Sequence, residues 1–178
     1  MKVDEESISF RPLAETDLPL LHGWLNSPEV ARWWEVGGQH YPSLELVIDK
    51  WMPRKDVVET EKSYVIHYEG KPVGYIRCAL NDDQTAYKEA FEIEGGTAGV
   101  DVFIGEEDYL HKGLGSSIIT RFLREVVFVI YDVAVCVIDP ELENTIAIRA
   151  YEKAGFRHTK TVWNPASTTG AYLMTISR

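Results

Sequence analysis

An α+β fold, a mixed sheet flanked by helices, is what this 178-residue sequence predicts, and three observations carry the prediction. Two pairs of β-rich runs, 64–68 with 73–79 and 157–163 with 171–177, are each joined by turn-forming residues and read as antiparallel hairpins. Strand and helix patterns alternate only in the middle of the chain. At 45% hydrophobic residues the chain can bury one sizeable core and is too short for two comfortable ones, so a single domain over 1–178 is expected.

The elements follow in order. A first strand is expected near 7–12, then a helix over about 16–26, where Leu18, Leu21, Trp24 and Leu25 recur at helical spacing. Ser27-Pro28-Glu29 restarts a helix, with serine as cap and proline at the first position, where its missing N–H costs nothing. A further helical run, 44–52, stops at Pro53. The first hairpin turns at Glu69-Gly-Lys-Pro72, and the polar stretch 81–94 is expected to be an excursion from the sheet. Residues 99–105 form a strand, 111–116 a glycine loop and 118–129 an apolar helical run. Val133-Ala-Val-Cys-Val-Ile is apolar throughout, as a strand buried on both faces is, and ends at Asp139-Pro140. Asn144 opens a capped helix that carries Tyr151 on its last turns and stops at Gly155. The closing hairpin spans the loop 164–170.

A net charge of −10 argues against a nucleic-acid surface and fits a cationic partner. Its distribution is sharper: from Glu89 to His111 there is no Lys or Arg, whereas Glu89, Glu92, Glu94, Asp101, Glu106, Glu107 and Asp108 are acidic, which suits an amine-bearing substrate. Cys78 and Cys136 lie in apolar, strand-like runs and are expected to be buried free thiols, as fits a reducing cytoplasm. The N-terminus lacks the basic and then apolar regions of a signal peptide, and the longest apolar run, 126–131, is too short to span a bilayer, so a soluble cytoplasmic protein without a membrane partner is expected. The histidines are scattered without metal-ligand spacing, and no metal is expected.

The most informative stretch is Gly99-Val-Asp-Val-Phe-Ile-Gly105, followed by His111-Lys-Gly-Leu-Gly-Ser116 and the helical run behind it. Two glycines two residues apart at the mouth of a helix let backbone N–H groups gather around an anion, which the helix dipole also favours, so the loop reads as a pyrophosphate site. It is not a Walker loop, because its lysine precedes the glycines, nor the dinucleotide fingerprint, because the third glycine is missing. Together with Asn144-Thr-Ile-Ala-Ile-Arg-Ala-Tyr151-Glu-Lys-Ala-Gly-Phe156, the sequence resembles the GCN5-related N-acetyltransferase (GNAT) family. Within it, Gly99–Tyr109, Asn144–Phe156, Trp24-Leu25-Asn26 and the pair Trp33-Trp34 resemble the aminoglycoside 6′-N-acetyltransferases. The resemblance runs from Ile8 to Ile176, and departs from the family loop at Leu110, where Gln or Arg is usual.

The resemblance implies a central, mostly antiparallel mixed sheet of about six to seven strands flanked by helices. It implies acetyl-CoA as cosubstrate and direct transfer in a ternary complex to the 6′-amine of a polycationic aminoglycoside, conferring resistance, by a monomer or homodimer. A polyamine or protein N-terminus as acceptor, or an acyl-CoA sensor without turnover, are the alternatives.

Acetyl transfer to an amine needs a neutral nitrogen, a donor for the oxyanion and a proton for the departing thiolate. The amides of His111, Lys112, Gly113, Leu114, Gly115 and Ser116 are expected to hold the pyrophosphate of coenzyme A, with Lys112 adding charge. The family lays the pantetheine arm along Val102, Phe103 and Ile104 like an added strand, where a free N–H meets the oxyanion. Asn144 reads as an N-cap and is expected in addition to contact the arm. Asp101 either takes a proton from the attacking ammonium or holds it by charge, and the position matching Asp139 meets a substrate ammonium in the resembling enzymes. Trp33 and Trp34 are expected to wall the cleft, and Glu92 and Glu94 to bind further ammonium groups. Tyr151, neutral at pH 7, is the expected proton donor to the thiolate.

Overall fold

In the computed structural model, residues 3–52, 61–81, 96–163 and 170–178 are described. Strands β1 (Ile8–Pro12), β2 (Glu61–Tyr68), β3 (Lys71–Leu80), β4 (Thr97–Ile104), β5 (Val135–Ile138), β6 (Arg157–Trp163) and β7 (Gly170–Ser177) form one sheet, ordered β1-β2-β3-β4-β5-β7-β6. Every neighbouring pair is antiparallel except β4 and β5, which are parallel. Both predicted hairpins are present. The first turns on two residues rather than four: Glu69 (φ 50°) and Gly70 (φ 75°) are both left-handed, the twist that a tight hairpin demands. Pro72 instead sits inside β3 opposite His67, where the register shifts, as a residue without an N–H requires. In the second hairpin the chain returns inward, so β7 pairs with β5 and β6 is left at the edge.

Helix starts follow their caps. Helix α1 (Leu18–Leu25) begins later than the apolar spacing predicts, because Asp17 serves the preceding turn: its Oδ2 accepts from Ala14 N (2.8 Å) and its two oxygens pair with Arg11. Pro28 opens α2 (Pro28–Ala31) as expected, but Ser27 does not cap it; its hydroxyl donates back to the Trp24 carbonyl at 2.8 Å. Ser43 caps α3 (Leu44–Trp51) by accepting from Leu46 N. The glycine loop leads directly into α4 (Leu114–Phe122), four residues before the apolar run suggests, and the helix continues through a π-helical turn (Leu123–Val127) to Phe128–Ile130. Helix α5 (Thr145–Lys153) is capped by Asn144 Oδ1, which accepts from Ala147 N at 3.1 Å, and is ended by Gly155 at φ 102°.

Two apolar layers cover the sheet. On one face Ile66, Ile76, Cys78, Val100 and Cys136 pack beneath α4 and α5 through Leu114, Ile118, Phe122 and Tyr151. On the other, Val65 and Tyr75 pack with Leu21, Trp24, Leu25, Val30 and Val47 of α1–α3. Cys78 and Cys136 are buried and unpaired, as expected; burial pushes the Cys78 thiol up to about 11 and that of Cys136 higher still. Among the described residues no helix is long and apolar enough to cross a membrane.

One close approach ties α1 to the end of β4. A Cβ on Gly105 would lie 2.2 Å from Trp24 Cγ, and the next residue, Glu106, accepts from Trp24 Nε1 at 2.8 Å. Gly105→Ala must push the indole off its partner and is expected to cost about 1–3 kcal/mol, as overpacking does. Urea denaturation measures it, and an unchanged midpoint would mean that the indole yields freely.

Candidate active site

β4 and β5 are paired for three residues only, Thr97 with Val135, Ala98 with Cys136 and Gly99 with Val137. β5 then ends, and Pro140 turns toward β7, its carbonyl accepting from Tyr172 N at 2.8 Å. β4 stays on β3 as far as Ile104, so the two strands part into a slot. The ladder decides which peptide groups face it. Thr97 O accepts from Asn81 N and Gly105 N donates to Val73 O, both at 2.9 Å, so odd-numbered residues of β4 direct their peptide groups to β3. Val102 and Ile104 therefore present N–H and C=O to the slot, whereas those of Phe103 are spent on β3.

Side chains divide in the same alternation. Val100, Val102 and Ile104 pack on the α4 face. Phe103 points to the other, into an aromatic group with Trp24, Trp34 and Tyr75, its ring centroid 5.0 Å from that of Trp34. Asp101 shares that second face and borders a cavity of about 330 Å³ lined also by Lys50, Glu61, Arg77, Asn81 and Asp139. Asp101 and Asp139, distant in sequence, are thus brought together, with two cations and a third carboxylate among them.

Arg77 organises this wall. It stands opposite Asp101 in the β3–β4 register; its Nε donates to Asp101 Oδ2 at 2.7 Å and its Nη1 to Glu61 Oε2 at 2.9 Å. Its guanidinium carbon lies 5.8 Å from the Trp34 ring centroid. Burial opposes the charge, but Asp101 and Glu61 outweigh it and hold the guanidinium more firmly protonated than usual. The spacing of motifs gave no sign of Arg77, Glu61 or Lys50. An arginine in the apolar run Val73-Gly-Tyr-Ile-Arg-Cys was the available signal, since a charge in a buried strand demands partners.

Tyr151 lies across the sheet, on the α4 and α5 face, 7% exposed and edge-on to Phe156. Burial, and then the carboxylates of Asp101 and Asp139, push its phenol well above the ordinary value, so the hydroxyl stays protonated. The glycine loop has His111 (φ 58°) and Gly113 (φ 83°) in the left-handed region on either side of exposed Lys112. No side chain caps α4, so the amides of its first turn remain for an external acceptor. Leu114 sends its side chain into the core, and Ser116 Oγ donates to the Gly113 carbonyl at 3.2 Å. Asn144 keeps its capping role.

Other expectations are redistributed. Neither Trp33 nor Trp34 is among the described residues that line the cavity; Trp34 lies behind its wall, beside Arg77 and Phe103, while Trp33 stacks under Arg32. The acidic stretch is not one patch: Glu106 is held by Trp24, and Glu107 and Asp108 sit in an exposed turn beyond β4, which leaves Asp101 as its member at the cavity among the described residues. Asn81, the first residue of the expected excursion, is buried, and its Nδ2 donates to Thr97 Oγ1 at 2.9 Å; residues 82–94 lie outside the described residues. Glu92 and Glu94 lie outside the described residues. Among those residues no group of three or more His, Cys, Asp or Glu side chains is placed to hold a metal ion.

A family model described as an acetyltransferase (GNAT) domain matches residues 14–163. The chain is 33% identical over 162 residues to the aminoglycoside N(6′)-acetyltransferase type 1 of Klebsiella pneumoniae, covering 90% of this chain and 79% of that one. Its fold is similar to a solved structure of AAC(6′)-Ib in complex with ribostamycin and coenzyme A, at a TM-score of 0.84 and 31% identity, covering 97% of this chain and 94% of that one. A complex of AAC(6′)-Ib with coenzyme A and kanamycin matches at a TM-score of 0.79 and 30% identity, over 97% of this chain and 95% of the other.

The buried phenols give a pH prediction. In the folded chain Tyr75 and Tyr151 hold their protons above the ordinary phenol value near 10, chiefly through burial. The stability this represents is complete below pH 10 and is lost as pH rises beyond it, because the unfolded chain releases the protons first. Absorbance at 295 nm should show these phenols ionising only together with unfolding. Ionisation of all nine tyrosines near pH 10 with the fold intact would contradict it.

Proposed function

The chain belongs to the GNAT acetyltransferase family, and from that premise we propose how its residues transfer the acetyl group of acetyl-CoA to the 6′-amine of aminoglycosides. One arrangement supports the assignment of roles: a strand edge whose Val102 and Ile104 peptide groups are unspent among the described residues, flanked by carboxylates on one face and a protonated tyrosine on the other. We read residues 1–178 as a single catalytic domain working in the cytoplasm.

The residues fit the cosubstrate. An extended amide arm can add to the open edge of β4, and the uncapped start of α4 with Lys112 suits a pyrophosphate. When bound, acetyl-CoA supplies the activated acyl group. Asp101 and Asp139 hold the acceptor's ammonium, and Asp101 receives its proton as the nitrogen becomes a nucleophile. A slot-facing N–H, from Val102 or Ile104, donates to the developing oxyanion. Tyr151 keeps its proton at Oη on the far face, available to a departing thiolate. No residue need carry the acetyl group, because both reactants meet in the slot. Acetylation turns an ammonium into a neutral amide with fewer N–H donors, which removes one positive charge from the antibiotic, weakens its hold on ribosomal RNA and confers resistance.

Release of coenzyme A thiol from acetyl-CoA tests this. Turnover is expected with kanamycin and not with its 6′-hydroxyl counterpart; turnover with spermidine or a short peptide in place of kanamycin would overturn the acceptor. Asp101→Asn should lower kcat by about 10²-fold or more, the scale of a lost general base, while the KM for acetyl-CoA stays within a few-fold. An unchanged kcat would remove Asp101 from the mechanism.

A further inference from the structure

Arg77 has no part in the steps just described, yet its guanidinium is committed on three sides. Adjacent strands place Glu61, Arg77 and Asp101 in a row of alternating charge on one face of the sheet. Arg77 and Asp101 are register partners, so the backbone sets their separation. The two ends of the guanidinium are held by Asp101 (2.7 Å) and Glu61 (2.9 Å), and the ring of Trp34 lies beside it at 5.8 Å. A planar fork held this way cannot turn without breaking a charge-assisted bond. Asp101 is gripped through Oδ2 alone; among the described residues no hydrogen bond reaches its Oδ1, and the side chain is 46% exposed at the cavity.

We infer that Arg77 is a positioning residue: by gripping Oδ2 it aims Oδ1 of Asp101 at the incoming ammonium, and Glu61 and Trp34 keep the grip in place. The inference rests on the acetyl-transfer function proposed above. A cation at this point has two effects of opposite sense. It orients the carboxylate, which favours the chemical step, and it opposes a cationic acceptor, which weakens binding. Removing it therefore separates kcat from KM. Asp101 gains freedom to rotate, so kcat falls; the cavity loses one positive charge, so the KM for a cationic acceptor does not rise. A residue that merely supported the fold would not produce that split, because a loosened site loses binding as well as turnover.

The test compares Arg77→Gln and Arg77→Lys with the wild type, using kanamycin and acetyl-CoA. Glu61 is 35% and Asp101 46% exposed, so water can solvate both carboxylates in Arg77→Gln and the fold should persist, checked by thermal melting and by the KM for acetyl-CoA. The expected result is a kcat lower by about tenfold or more, with a kanamycin KM equal to or below that of the wild type. Arg77→Lys restores the charge without the fork and should return KM while leaving kcat low. A kcat within about twofold of wild type in Arg77→Gln, or full recovery in Arg77→Lys, overturns the inference. Should Arg77→Gln fail to fold, Glu61→Gln releases one end of the guanidinium and is expected to lower kcat in the same direction; an unaltered kcat there overturns it equally. A wild type silent toward kanamycin would instead overturn the proposed function and this inference with it, an outcome distinct from normal wild-type turnover beside an indifferent variant.

Discussion

The parting of β4 from β5 is the constraint on which the rest of the structure depends. Two parallel strands in mid-sheet normally continue their ladder, because an unmade backbone hydrogen bond in a buried place is costly. Here β5 is four residues long and is followed by Asp139-Pro140, and proline has no N–H with which to continue. The chain then leaves with β7, through Ile138 opposite Met174 and the Tyr172 bond to Pro140. β4 cannot follow, since it stays in register with β3 from Ala98 to Ile104 and its odd-numbered residues are hydrogen-bonded to that strand. The slot is thus the geometric remainder of two strands obeying different partners.

An edge opened in mid-sheet stays straight only if something else fixes it. β3 does so along its length, and Trp24 does so at its end, resting on Gly105 and donating to Glu106. The side chains that alternate along β4 then acquire different surroundings. Even-numbered residues complete the layer under α4, and Asp101 and Phe103 enter the layer under α1–α3, where aromatic rings and the Arg77 guanidinium are packed. A carboxylate on one face and Tyr151 on the other therefore sit on opposite flanks of a single unpaired edge. That edge also offers backbone donors whose positions no side-chain rotation can disturb, which is the property electrostatic preorganisation requires.

Much of this was legible in the sequence, for identifiable reasons. Both hairpins, the buried strand before Asp139, the Asn144 cap and the loop at Gly113 are local patterns, set by side-chain period or by conformations that few residues adopt. Asp101 and Asp139 were nameable through the family resemblance, which implies roles at their positions. Arg77, Glu61 and Lys50 were not, because their meeting with Asp101 depends on strand register and on the packing of α3, which lie far apart in sequence. The same reason separates Trp34 from Trp33: adjacent residues leave a turn in different directions, and only the packed fold decides which reaches Phe103. Ser27 shows the local rule yielding to a local rival, since its hydroxyl had the Trp24 carbonyl within reach as well as the amides of α2.

The charge of the cavity bears on how a polycation is turned over and not only held. A chain with a net charge of −10 attracts such a molecule from a distance, but that attraction acts on bound substrate and transition state alike and so does not accelerate the chemical step. Among the described residues that line the cavity, three carboxylates stand against Lys50 and Arg77. Carboxylates alone would retain an ammonium in its charged, unreactive form. Arg77, bonded to both Asp101 and Glu61, holds these two carboxylates at defined places and offsets part of their attraction for a cation. In the mechanism proposed above, an ammonium there gives its proton to Asp101, the step by which a bound amine becomes a nucleophile beside a thioester.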